Sequence, residues 1–137
     1  MPKKAEQQLA MASLERAPFS KIAGLKITSA ENGVATVCMP FSETLLNDGG
    51  PAVPIHGGAI ATLADFAACA AVWSLEQTQR SMTISMTVNY TGPGIQSDLI
   101  AHAVVRRAGK RVASINVEIR DSADALVADA LITYKIA

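Results

Sequence analysis

The stretch from His56 to Leu75, HGGAIATLADFAACAAVWSL, constrains the fold more than any other part of the chain. Its side chains are small or apolar nearly all round, with Ala59, Ala61, Ala64, Ala67, Ala68, Ala70 and Ala71 dominating. Alanine is the strongest helix former, and its size lets a helix approach a sheet closely. A helix that is apolar on every face has to be covered on most sides. The segment is about long enough to span hydrocarbon. His56, Asp65, the paired glycines at its start and the β-rich remainder of the chain argue instead for a buried helix at the centre of a soluble domain.

The rest of the chain supplies the cover. Residues 5–17 read as a weakly amphipathic helix ended by Pro18, so an N-terminal helix is expected within residues 1–18. Leu25–Ala30 and Val34–Phe41 read as strands joined at Glu31-Asn32-Gly33, and Asn-Gly tolerates the positive φ of a tight hairpin. A Gly/Pro-rich loop, Ser42–Ile55, precedes the helix over residues 56–75. Met82–Tyr90, Asp98–Arg107, Arg111–Asp121 and Leu126–Ile136 then show period-two alternation. In the first of these, strict alternation puts Met82, Ile84, Met86, Val88 and Tyr90 on one face and Thr83, Ser85, Thr87 and Asn89 on the other. Helix, two strands, long helix and four strands in antiparallel hairpins predict a single α+β domain over residues 1–137. A curved sheet wraps the central helix, and a partner subunit covers what remains.

Lysine plus arginine and aspartate plus glutamate number 12 each, for a net charge of zero. No bulk field draws this chain to nucleic acid or anionic membrane. A neutral chain that is 50% hydrophobic tends to hide surface by self-association. Cys38 and Cys69 have no metal-ligand partner at a useful spacing and read as buried thiols, and no metal site is expected. The N-terminus lacks the apolar run of a secretory signal, so a cytoplasmic location is expected.

Asp65 is the anomaly in the greasy helix, because a buried ionised carboxylate without partners is costly. It either anchors a structural hydrogen-bond network or lines a cavity and does chemistry. Gly57 and Gly58 open the same helix, where backbone N–H groups lack intrahelical acceptors and the dipole is positive. Such amides suit a developing negative oxygen, and glycine lets a bulky acyl group come close. Gly57 and Asp65 lie roughly 12 Å apart along one helix, too far for one carbon to touch both. The pair works together only if Asp65 comes from a second copy whose helix runs antiparallel.

His56-Gly57-Gly58 through Leu63-Ala64-Asp65 resembles the HGG-x(4)-L-x-D motif of the PaaI-like hotdog thioesterases, and the element order matches over nearly the whole chain. Tyr90-Thr91-Gly92-Pro93 resembles the aromatic-x-x-Pro that ends the following strand in that family. The resemblance implies a hotdog fold, assembly as a dimer of dimers, and hydrolysis of acyl-CoA, which is substrate rather than cofactor. Carried over, Gly57 N–H polarises the thioester carbonyl, and Asp65 of the partner serves as general base or nucleophile. His56 orients the loop or the thioester, and Asn47 positions substrate or water. Thr83 holds the water, with Ser85 competing for that role. The stretch Asp48–Ile55 is a few residues longer than the family pattern.

Arg106, Arg107, Lys110 and Arg111 flank a hairpin and would complement the phosphates of a CoA at a pocket mouth; a solvated hairpin tip is the plainer reading. Two other functions fit the pattern. A hotdog hydratase or dehydratase would use His56 as its base. A non-catalytic acyl-CoA-binding module would ordinarily lack the helix carboxylate.

Overall fold

The computed structural model describes residues 2–50 and 52–137, the side chains of residues 2–4 excepted. Helix α1 (Pro2–Arg16) is followed by a short α2 (Pro18–Ala23), strands β1 (Lys26–Glu31) and β2 (Val34–Met39), and the long helix α3 (Gly57–Trp73). Strands β3 (Ser81–Tyr90), β4 (Leu99–Ala108), β5 (Val112–Arg120) and β6 (Leu126–Ile136) complete the chain. All six strands form one antiparallel sheet in the order β1-β2-β4-β5-β6-β3. The curved sheet wraps α3 in the hotdog arrangement. Where one N-terminal helix was expected there are two, because Pro18 ends α1 and starts α2 at its first position.

Local chemistry accounts for the connections. Asn32 and Gly33 take φ of 51° and 82°, so the first hairpin turns on the Asn-Gly pair. That turn is tied to the end of α3: Gly33 N–H donates to Ser74 Oγ at 2.8 Å, and Ser74 Oγ–H donates to the Ala71 carbonyl at 2.6 Å. The loop before α3 closes through a Leu46–Ile55 bridge. No helix among the described residues is long and apolar enough to cross a membrane.

The core lies between α3 and the concave face of the sheet. Ala64, Ala67, Ala68, Ala70 and Ala71 are fully buried, as are Ala35, Val37, Met39, Leu99, Ala101, Ala103 and Ile115 on the strands opposite. Alanines on both surfaces let helix and sheet approach, while each buried Val, Leu or Ile contributes roughly 1.5–3 kcal/mol. Cys38 and Cys69, expected as buried thiols, are only half-buried. Cys38 alternates with the fully buried Val37 and Met39 and so faces away from the core.

Candidate active site

Helix α3 is not sealed all round. Gly58 is exposed, and Thr62, Asp65, Cys69 and Trp73 are half-buried; spaced three or four apart, they form a single stripe along the helix. That stripe runs beside β3, which pairs only with β6 and forms one edge of the sheet. Asp65 sits in the middle of it.

The register of β3 decides what faces Asp65. Ser81 pairs with Ile136 and Thr83 with Tyr134, but then Ser85 pairs with Thr133 and Met86 with Ile132. One residue is therefore extra at the bulge between Thr83 and Ser85. Residues opposite each other on a ladder share a face, and Tyr134, Ile132 and Ile136 are at most 2% exposed on the core side. The bulge thus places Ser81 and Thr83 on the same face as Met86, Val88 and Tyr90. Strict alternation predicted Met82 and Ile84 there; instead they point outward, 63% and 57% exposed. Bulges of this kind re-aim side chains beside functional sites. The same phase change puts Ser85 on the outer face with Thr133, away from α3.

Each inward polar side chain of β3 then meets α3. Thr83 Oγ1–H donates to Asp65 Oδ1 at 2.7 Å. Tyr134 Oη–H, from β6, lies 2.7 Å from the same Oδ1 and 2.8 Å from the Asp65 backbone carbonyl. Further along the stripe, Trp73 Nε1–H donates to Ser81 Oγ at 2.9 Å, with Cys69 Sγ 3.9 Å from that hydroxyl. Tyr90 Oη–H donates to the Gly57 carbonyl at 2.8 Å and so braces the start of the helix. Burial, together with the nearby Asp65, pushes the Cys69 thiol up from 9.0 to about 11, although the Ser81 hydroxyl opposes the rise. Burial first, then the charges of Cys69 and Asp65, holds the Tyr134 phenol well above its ordinary range. Both groups keep their protons at neutral pH.

The helix start separates two glycines that look alike in sequence. His56 is the N-cap, and its Nδ1 accepts the Gly58 N–H at 2.8 Å. In that bond Nδ1 is the acceptor, so the ring nitrogen left free of the cap is Nε2. A Cβ on Gly58 would lie 2.9 Å from Nδ1, so glycine is what permits the cap. The Gly58 amide, expected to be a free donor, is therefore engaged. The Gly57 N–H has no acceptor among the described residues.

The other expected residues lie apart. Asn47 is exposed; its backbone N–H donates to Pro54 O at 3.1 Å, and no hydrogen bond joins it to Asp65. Arg106, Arg107, Lys110 and Arg111 are all exposed on the β4–β5 hairpin, beyond the C-terminal end of α3, with no ion pair among the described residues. Among those residues no three of His, Cys, Asp and Glu gather as a metal-holding group. Tyr134 is the residue the sequence reading missed. The signal was there: a tyrosine alternating with Ala128, Ala130, Ile132 and Ile136 on an apolar face needs a partner for its hydroxyl.

Residues 55–128, which carry this helix start, Asp65, Thr83 and Tyr90, match the Thioesterase superfamily. The chain belongs to that superfamily. It is a PaaI-like hotdog thioesterase, a thioester hydrolase. The acyl-coenzyme A thioesterase PaaI of Escherichia coli is 33% identical over 113 residues, covering 82% of this chain and 77% of that protein. The medium/long-chain acyl-CoA thioesterase YigI of Salmonella typhimurium is 26% identical, covering 87% and 85%. The structure of E. coli PaaI superposes with a TM-score of 0.83 at 28% identity, over 95% of this chain and 91% of that one.

Proposed function

We propose that this thioesterase hydrolyses acyl-CoA to a free acid and CoA at a site shared between two copies of the chain. The observation that carries this reading is the Asp65 carboxylate: set in the open stripe of a largely apolar helix, it has one oxygen held by two hydroxyls and the other without a hydrogen bond among the described residues. In this reading the Gly57 N–H of one copy donates to the thioester carbonyl oxygen, where the helix dipole also favours negative charge. Asp65 Oδ2 of the other copy takes a proton from water as that water attacks the carbonyl carbon, or attacks that carbon itself to give a mixed anhydride that water then opens. The C–S bond breaks and the electron pair goes to sulfur, which becomes the CoA thiol by taking the proton that Asp65 gained or, in the anhydride route, a proton from water.

Two copies are needed because Gly57 and Asp65 stand roughly 12 Å apart in one helix. The unpaired edge of β3, ten residues long, is where a second copy would pair, running two α3 helices antiparallel and covering the stripe. Further pairing to a dimer of dimers is part of the same reading. Thr83 donates its hydroxyl hydrogen to the bond with Asp65 and keeps lone pairs to accept a hydrogen bond from the attacking water. His56 acts through the cap, fixing the turn that presents Gly57. Asn47 would reach the substrate from its exposed loop, and the cationic hairpin would meet the CoA phosphates. The names of the E. coli and Salmonella relatives support a CoA thioester as substrate.

The test is a panel of hexanoyl-, benzoyl- and phenylacetyl-CoA together with 3-hydroxyhexanoyl-CoA, the β-hydroxy thioester a dehydratase requires, following thiol release with a thiol reagent and enoyl absorbance in parallel. Thiol release on at least one member is expected. Enoyl formation without thiol release would establish a hydratase or dehydratase instead, and saturable binding without turnover a sensor.

A further inference from the structure

Tyr134 is 2% exposed on an inner face of β6 that is otherwise apolar, where phenylalanine would fill the same volume. Its hydroxyl has one proton and two acceptors on one residue, the Asp65 carbonyl at 2.8 Å and Oδ1 at 2.7 Å. A donor that spans a side chain and its own backbone clamps that side chain against the helix. Thr83, from a different strand, meets the same Oδ1 at 2.7 Å, so rotation of the carboxylate would break hydrogen bonds to both strands at once. We propose that Tyr134 is a positioning residue for thioester hydrolysis, holding Asp65 in one rotamer so that Oδ1 is immobilised and Oδ2 is the oxygen presented to water or substrate. This rests on Asp65 being the reacting carboxylate. Burial keeps the phenol protonated, so Tyr134 serves only as a donor and never as the base.

A geometric role of this kind lowers kcat without weakening substrate binding. The test uses Tyr134→Phe, Asp65→Asn and the double variant of the full chain, on the best substrate of the panel. Tyr134→Phe is expected to lower kcat about tenfold with KM within about twofold of wild type. In the Asp65→Asn background it should have no further effect, because residues acting through one group are not additive. Tyr134→His keeps a ring and an N–H donor, so it should retain more kcat than Tyr134→Phe; a packing role gives the opposite order. Unchanged kcat in Tyr134→Phe beside a dead Asp65→Asn overturns the positioning role and leaves Asp65 standing, as do losses that add. Full activity in Asp65→Asn overturns the parent reading instead. If Tyr134→Phe is not recovered folded, Tyr134→His takes its place in the cycle, with non-additive loss expected and additive loss overturning the proposal.

Discussion

Helix α3 has two unlike sides. Toward β2, β4 and β5 it meets Ala35, Val37, Met39, Leu99, Ala101, Ala103 and Ile115, all fully buried, with no polar side chain among them. Toward β3 and the β6 tyrosine it meets Ser81, Thr83, Tyr90 and Tyr134, every one through a hydroxyl, along a stripe left partly open. The first side supplies burial, which is non-directional and roughly proportional to area. The second fixes directions, because a hydroxyl at 2.7 Å sets where an oxygen points. Tyr90 and Tyr134 face inward by plain alternation, and one extra residue in β3 turns Ser81 and Thr83 inward beside them. Stability and chemistry therefore sit on opposite sides of one helix and should respond to different substitutions.

The largest effect is expected on the hydroxyl side. Asp65→Asn keeps the shape and removes the charge, and should lower kcat by about 10³-fold or more with little change in melting temperature; wild-type turnover by thiol release would break the division. Next is Gly57→Pro. It deletes the unengaged N–H at the first helical position, where proline is tolerated, and His56 already has φ −58° and ψ 134°, as a residue before proline prefers. A side chain there would make ordinary contact with the Tyr90 ring at 3.4 Å. The fold should persist while kcat/KM falls about 10²- to 10³-fold, the usual loss for one oxyanion donor.

The burial side should answer in the opposite currency. Ile115→Ala, at a fully buried position, is expected to cost about 2–5 kcal/mol in urea unfolding while leaving kcat of the folded fraction within about twofold. A large kcat loss without destabilisation would show that the two sides are coupled. The smallest effect is a pH slope. The folded-state value for Cys69 is raised from 9.0 to about 11, so native protein holds that proton more tightly than unfolded protein does. The associated stability is complete below pH 9.0 and is lost as pH climbs through about 11, amounting to on the order of 2–3 kcal/mol. Unfolding at a series of alkaline pH values should show this decline in wild type and a flatter curve in Cys69→Ala.

Much of this was legible before folding. The positions of α3, the Asn32-Gly33 hairpin and the four later strands follow from local propensity and periodicity, and their ends in the structure differ by a residue or two. Asp65 and the His56-Gly57-Gly58 start stood out because a charge and free amides are anomalies in an apolar helix. Period-two alternation failed at β3, because a bulge depends on pairing with β6 and leaves no trace in the strand's own pattern.

The sequence by itself determined that a nearly all-apolar helix with one carboxylate must lie inside a sheet, because hydrophobic periodicity and helix propensity act over a few neighbouring residues. Only the tertiary structure decided which partners that carboxylate has. Tyr134 is 69 positions from Asp65 and Thr83 is 18, and hydrogen bonds across such separations are set by strand register rather than by local sequence. The same holds at the helix start, where His56 engages one glycine amide and leaves the other open, a choice made by the geometry of the cap.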